Sequence, residues 1–345
     1  MKRVSLLFAS VAVIACAVAG GVRLLAEDCP GGYTGGLTAL TDLGSGKYLS
    51  FRGGLYPGGS NVRPAAHEAS GITIAENDIY ARNAAGAGDP KSGKIVMISI
   101  GMCSTNTEFE SFLKQAEADP AVNPSLVFVN TAQGSQTVDE WGDPAMPEHA
   151  LIWKTVQDRV VAAGATAAQV QVAWFKHTTV GAKILPFPTG AAEVQNWMKM
   201  TLQIAKAKYP NLRLAYFSSR IYAGYALTNL NPEPKAFENG FSVKWLIEQQ
   251  ISGCECLRYS GSGAKSPWLA WGPYLWANGL GPDVVPGGAP GRSDGLEWVC
   301  DDFAEFDRTH PSAQGAEKVG KMLLDWLKTD STSKPWFLAL HDSSK

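Results

Sequence analysis

Residues 94–330 alternate between short apolar runs and longer amphipathic stretches, which is the spacing expected of βαβ units. The apolar runs are continuous rather than alternating, and continuous runs are typical of parallel strands that are covered by helices on both faces. We therefore predict an α/β protein, a three-layer α/β/α sandwich with a central parallel sheet. The predicted strands are KIVMISI (94–100), SLVFVN (125–130), QVQVAWF (169–175) and LRLAYFS (212–218).

Five stretches with helical spacing of apolar residues fall between and after these strands. In parallel sheets of this kind ligands bind at the carboxyl ends of the strands. The positions to inspect are therefore 101–106, 130–136, 175–179 and 218–225. The predicted helices are EFESFLKQAEAD (108–119), HALIWKTVQDRVVAAG (149–164), AAEVQNWMKMTLQIAKAKYP (191–210), GFSVKWLIEQQI (240–251) and HPSAQGAEKVGKMLLDWLKTD (310–330).

Three regions lack this periodicity. Residues 27–93 are rich in Gly and Pro, and we predict an irregular N-terminal arm that wraps the core. The stretch at about 253–306 is rich in Trp, Gly and Pro, and its length predicts a packed loop insertion beside the site. Residues 331–345 are predicted to be a C-terminal tail.

The first 26 residues have the composition of a secretory signal peptide. A basic start, Met1-Lys2-Arg3, precedes an apolar run that is rich in small residues and too short for a membrane span. The residues before Cys16 also fit a lipoprotein cleavage box, in which Cys16 would be lipidated; ordinary cleavage further on would discard it. We expect an exported protein, periplasmic or extracellular, with membrane attachment through Cys16 as an alternative.

Export makes disulfides an expectation for the remaining cysteines. Apart from Cys16 there are five, an odd number, so at least one thiol stays unpaired, and Cys103 is the candidate. Cys254 and Cys256 are too close in sequence to pair comfortably with each other. Each is expected to bridge to Cys29 or Cys300.

Charge and short motifs exclude several functions. The formal net charge of −2 and the isoelectric point near 6.2 give no basis for nucleic-acid binding. Paired C-x-x-C, H-E-x-x-H, glycine-rich dinucleotide and Walker patterns are missing from the sequence. We therefore predict neither a metal nor a cofactor.

Two polar groups bracket the predicted sheet. The first strand ends at Gly101, and Cys103 and Ser104 follow at a bend where hydrolases often place a nucleophile, although inert proteins turn there too. Near the C-terminus, Asp307 precedes His310 by three residues. An Asp at this spacing can hold one imidazole nitrogen and leave the other to accept the proton of a nucleophile.

Three segments make the chain resemble the SGNH/GDSL hydrolase superfamily, in an uncharacterised exported bacterial branch. The resemblance implies a flavodoxin-like sandwich of the SGNH hydrolase type and esterase chemistry. It places the nucleophile at Cys103, an oxyanion donor at Gly134, and the Asp and His of the catalytic set at Asp307 and His310. The segments are SIGMCS (99–104), NTAQG (130–134) and DRTHPSAQG (307–315).

The chain departs from the family pattern at two points. The family nucleophile is a serine, so either the thiol of Cys103 attacks or the turn is shifted and Ser104 does. The Asn that completes the oxyanion hole in the family is missing after the third strand. Lys176 or His177 could donate a hydrogen bond in its place, or both could be solvent-facing loop residues.

Arg220 and Tyr222 follow the fourth strand and are candidate substrate-binding residues, although a buried Arg that ties loops together is an equal alternative. The tryptophans of 253–306 either stack on sugar rings or form core beneath the loops. We predict an exported ester hydrolase acting on a small-molecule or polysaccharide ester, with acylated carbohydrate favoured. The alternative is a catalytically degenerate binding protein for carbohydrate or another surface ligand.

Overall fold

The computed structural model describes residues 36–183, 185–279 and 291–339. The predicted signal peptide at 1–26, the lipidation alternative at Cys16, and Cys29 lie outside the described residues. In the part of the chain that the structure describes, no helix is long and apolar enough to cross a membrane.

The elements of the fold follow the predicted alternation of strands and helices. The N-terminal part contains α1 (Leu40–Leu43), β1 (Lys47–Tyr48), β2 (Phe51–Arg52) and α2 (Ala65–Asn77). The alternating part contains β3 (Ile95–Gly101), α3 (Cys103–Glu117), β4 (Leu126–Val129), α4 (Val138–Gly142), α5 (His149–Ala162), β5 (Val170–Lys176), α6 (Thr189–Lys208), β6 (Leu214–Phe217) and α7 (Lys235–Ile251). The chain continues through β7 (Trp268–Trp271), α8 (Ala313–Thr329) and α9 (Lys334–Phe337).

The central sheet has five strands in the order β4-β3-β5-β6-β7, and every neighbouring pair is parallel. All residues of β3 and β5 are buried, which is why their sequences are mostly apolar and do not alternate with polar residues along the strand. This strand order is that of flavodoxin-like sheets, and the predicted fold class is confirmed. The order reverses beside β3, so a crevice is expected at the carboxyl ends of β3 and β5.

The fifth strand, β7, lies in the segment that was predicted to be a loop insertion. Its four residues, WLAW, are fully buried and extend the sheet beyond β6. Trp268, Trp271 and Trp276 are each at most 2% exposed. These three rings therefore belong to the core, and they form no platform on which a sugar could stack.

The helices flank the sheet, and α3 packs against α8 while α6 packs against α4 and α7. At the α3–α8 crossing, a Cβ on Gly320 would lie 2.7 Å from the backbone nitrogen of Phe112, so a glycine permits the close approach. The N-terminal arm includes α2, whose pattern did not predict a helix. Residues 331–339 of the predicted tail include Trp336 and Phe337, which are both buried.

The cysteine pairing differs from the prediction. Cys254 and Cys256 form a disulfide with each other, because the tight helical turn at 255–257 brings their Cα atoms to 5.2 Å. Cys300 is disulfide-bonded as well. Cys103 is a free thiol, as predicted.

Candidate active site

The candidate nucleophile lies at the junction of β3 and α3. Gly101 pairs with Lys176 of β5, and a Cβ on Gly101 would collide with the Lys176 carbonyl oxygen. Met102 has an extended backbone, so α3 begins at Cys103. The sulfur therefore lies at the N-terminal end of a helix, where the helix dipole stabilises a thiolate.

Cys103 and His310 are in direct contact. The sulfur lies 2.8 Å from Nε2 of His310. Burial raises the pKa of the Cys103 thiol, but the hydrogen bond and charge of His310, and then the charge of Arg220, hold it below its ordinary value. The hydrogen bond with Cys103 raises the pKa of His310 to about 9 despite burial. Both shifts favour a thiolate–imidazolium pair.

Asp307 orients the imidazole of His310. Its Oδ2 lies 2.5 Å from Nδ1 of His310, and its Oδ1 accepts the N–H groups of Thr309 and His310 at 3.0 and 3.1 Å. Arg308 has a φ of 51°, which folds the segment back on itself. Although burial raises the pKa of Asp307, these hydrogen bonds hold it below its ordinary value. Asp307 therefore stays ionised beside His310.

Ser104 also lines the cavity, but its hydroxyl makes no hydrogen bond to His310, whose Nε2 is already engaged by Cys103. Gly134 lies in the loop after β4, and a Cβ on it would come within 3.8 Å of the Cβ of Cys103. The next residue, Ser135, lines the cavity with a φ of 64°. The loop after β4 thus lies next to Cys103.

Lys176 ends β5 and is engaged by a carboxylate. Its Nζ lies 2.8 Å from a carboxylate oxygen of Glu108, and neither side chain is more than 4% exposed. Glu108 comes from the second turn of α3, on the same buried face as Ser104 and Phe112. Sequence reasoning missed Glu108, although an acidic residue on an otherwise apolar helix face signals a buried partner.

His177 has a ring nitrogen with no partner among the described residues. Its Nδ1 lies 3.0 Å from the Thr178 nitrogen and 3.2 Å from the Thr178 carbonyl oxygen, and in the tautomer in which Nδ1 accepts the N–H of Thr178 the ring proton is on Nε2. Among the described residues, Nε2 has no hydrogen-bond partner, and His177 lines the cavity while only 2% exposed. Burial lowers the pKa of His177 to about 3, so the ring is neutral. The alternative of a solvent-facing loop residue is thus wrong for both His177 and Lys176, since both are buried.

Arg220 and Tyr222 follow β6 but occupy different environments. Arg220 lines the cavity and is 8% exposed, and its backbone N–H donates to Asn239 at 3.2 Å. Tyr222 is not on the cavity wall. Its ring packs against Tyr225 and Trp276 in the core, at centroid distances of 5.3 and 6.0 Å. The prediction that Tyr222 binds substrate is therefore corrected, because its side chain packs in the aromatic core.

These residues enclose a cavity of about 230 Å³ at the carboxyl edge of the sheet. Its wall carries Cys103 and His310, together with Lys176, His177 and Arg220. Such a volume fits a small ligand. No group of three or more potential metal ligands occurs within the described ranges.

No protein-family model and no curated protein matches this chain. Six chains of solved structures are similar to it, among them the following two. One is a provisionally assigned SGNH hydrolase from Slackia heliotrinireducens, with 14% identity, a TM-score of 0.31, and coverage of 68% of this chain and 100% of that one. The other is the YxiM protein of Bacillus subtilis, with 10% identity, a TM-score of 0.34, and coverage of 70% of this chain and 58% of that one.

Proposed function

We propose that this protein hydrolyses carboxylic esters with Cys103 as its nucleophile. The observation that carries the proposal is the hydrogen-bonded chain from Cys103 through His310 to Asp307, with separations of 2.8 and 2.5 Å, at the wall of a cavity. A nucleophile held against a base that is itself oriented by a carboxylate is the recurrent arrangement of acyl transfer.

Acylation begins from the thiolate–imidazolium pair. The Cys103 sulfur attacks the ester carbonyl carbon, and the carbonyl π electrons move to oxygen and give a tetrahedral oxyanion. When the oxyanion collapses, the C–O bond to the alcohol breaks. The leaving oxygen takes the proton from Nε2 of His310. The products of this half-reaction are the free alcohol, a thioester on Cys103 and a neutral imidazole.

Deacylation reverses these roles. Neutral His310 takes a proton from a water molecule as its oxygen attacks the thioester carbon, and collapse of the second oxyanion expels the Cys103 thiolate. The carboxylic acid leaves, and the imidazolium again faces the thiolate. Asp307 stabilises the imidazolium in both half-reactions.

We assign three groups to hold the oxyanion. They are the N–H groups in the first turn of α3, the N–H of Gly134, whose Cβ position would lie 3.8 Å from the Cβ of Cys103, and His177 in the tautomer that carries its proton on Nε2, which has no partner among the described residues. We assign His177 the role that the missing Asn plays in the resembled family. Lys176 is bound to Glu108, so we assign Lys176 a structural role in the cavity wall.

The substrate side of the proposal rests on the size and lining of the cavity. A volume of about 230 Å³ favours an ester with a small acyl group. The buried tryptophans remove the argument for acylated carbohydrate from sugar stacking, and the alcohol part of the ester stays open between a small molecule and a polysaccharide. On the composition of the N-terminus we propose an exported location, with attachment through Cys16 as its alternative form.

Hydrolysis of 4-nitrophenyl acetate by the purified protein tests the proposal. We expect activity in the wild type and in Ser104→Ala, and none above the uncatalysed rate in Cys103→Ala or His310→Ala. Loss of activity in Ser104→Ala with retention in Cys103→Ala would transfer the nucleophile to Ser104. A wild type that is inactive on a panel of small acyl esters, and whose Cys103 alkylates no faster than a free thiol, would favour the degenerate binding protein.

A further inference from the structure

Arg220 carries a buried positive charge, and its side chain has no hydrogen-bonded partner among the described residues. Its side chain is 8% exposed and lines the cavity. Among the described residues, no carboxylate lies within ion-pair distance of its guanidinium, and its Nε is buried without a hydrogen-bond partner. A buried cation with no partner is costly, so such a group in a folded protein needs an explanation.

The carboxylates whose charges act on Arg220 are already bound to other groups. Glu108 is bound by Lys176 and Asp307 by His310. Glu233 accepts hydrogen bonds from the Ala223 and Phe237 N–H groups and from the Trp276 indole. The remaining negative charge that acts on Arg220 is the Cys103 thiolate.

That thiolate disappears during the proposed reaction. When Cys103 attacks a carbonyl carbon, its sulfur becomes part of a neutral thioester. Arg220 would then face the acyl group with no opposing charge. A substrate that supplies its own negative charge beside the carbonyl would remove this cost.

We propose that Arg220 recognises a carboxylate carried by the substrate within a few atoms of the electrophilic carbon. The guanidinium is a planar fork of N–H donors that matches the two oxygens of a carboxylate. The substrate class is then an acidic ester with a short acyl part, and this statement of class rests on the proposed function. Recognition of the anion by Arg220 does not depend on hydrolysis.

Alkylation of Cys103 tests the recognition without an ester. Iodoacetate and iodoacetamide attack the same sulfur and are nearly equal in size, but only iodoacetate carries a carboxylate next to the reacting carbon. The rate of each reagent is measured on the intact protein at neutral pH, with the label located at Cys103 by peptide mass spectrometry. Glutathione gives the ratio of the two rates for a simple thiol.

We expect the iodoacetate-to-iodoacetamide ratio at Cys103 to exceed that of glutathione. In Arg220→Gln the ratio should fall by about ten- to a hundredfold, the range for loss of a charge-assisted hydrogen bond. Lys91→Gln removes an equal charge from an exposed site before β3, at the opposite edge of the sheet, and should leave the ratio unchanged. The iodoacetamide rate of each variant reports whether its site is intact.

Two results would overturn the proposal. One is a wild-type ratio no higher than that of glutathione. The other is an equal fall of both alkylation rates in Arg220→Gln, which would limit Arg220 to stabilising the thiolate.

The rate of hydrolysis of mono-4-nitrophenyl succinate, compared with that of 4-nitrophenyl acetate, then tests the substrate class. We expect a preference for the acidic ester that Arg220→Gln abolishes. A raised alkylation ratio with no hydrolysis of either ester would reject the esterase and leave the anion site standing.

Discussion

Glu108 and Lys176 meet at 2.8 Å: Glu108 lies five residues after Cys103 on α3, and Lys176, the last residue of β5, lines the cavity. Each side chain is almost fully buried, so each charge depends on the other. The pair joins the helix that carries Cys103 to the strand whose end carries His177. It therefore fixes two walls of the cavity relative to each other.

Removing one member of this pair should destabilise the fold. Glu108→Gln leaves the Lys176 ammonium buried without its counter-charge, which typically costs about 3–5 kcal/mol in the free energy of unfolding. Urea denaturation monitored by tryptophan fluorescence measures the change. Glu110→Gln, at an exposed position of the same helix, is the matched control and should stay within about 0.5 kcal/mol of wild type. Equal stability of the two variants would contradict a structural role for the pair.

The pH dependence of ester hydrolysis should distinguish the two possible nucleophiles. The thiolate–imidazolium pair exists between the lowered pKa of Cys103 and the raised pKa of His310. Activity should therefore be high at neutral pH and fall as pH rises through about 9, where His310 loses its proton. Cys103→Ser should behave in the opposite way, because a serine needs a neutral His310 and its activity rises with pH. A wild-type profile that rises through pH 9 would exclude the ion pair as the active form.

His177 should affect the rate of reaction more than substrate binding. His177→Phe keeps a ring in the buried site but removes the Nε2–H donor, and loss of one oxyanion donor costs about 100- to 1000-fold in kcat. His177→Asn restores a donor and should recover part of the rate. Steady-state kinetics of both variants give kcat and KM separately. A fall confined to KM, or an equal loss in both variants, would argue that His177 only shapes the cavity.

Gly101 should tolerate no side chain. In Gly101→Ala the new Cβ would collide with the Lys176 carbonyl, so the end of β3 must move away from β5 and displace Cys103. We expect a fall in Tm and slower alkylation of Cys103. Gly88→Ala is the control, because its Cβ would make an ordinary contact with Tyr80 at 3.5 Å. A Gly101→Ala protein with an unchanged Tm and an unchanged alkylation rate at Cys103 would show that the turn accommodates an additional Cβ.

The sequence determined the α/β class and most of the elements, because helical periodicity and buried apolar runs are local properties of the chain. It also pointed to Cys103, Asp307 and His310, because each stands beside a predicted boundary of an element. It did not indicate β7, whose four residues resemble the loop around them until they pair with β6.

The packing of distant segments brings these residues together. Cys103 begins α3 and His310 lies shortly before α8, and the packing of these two helices brings together side chains that are 207 positions apart. Tertiary contacts likewise placed Tyr222 in the core and Arg220 in the cavity, although both follow the same strand. Sequence fixes which groups a chain carries and the local structure around each one. Their distances, burial and pKa values depend on contacts between distant segments, which no local pattern encodes.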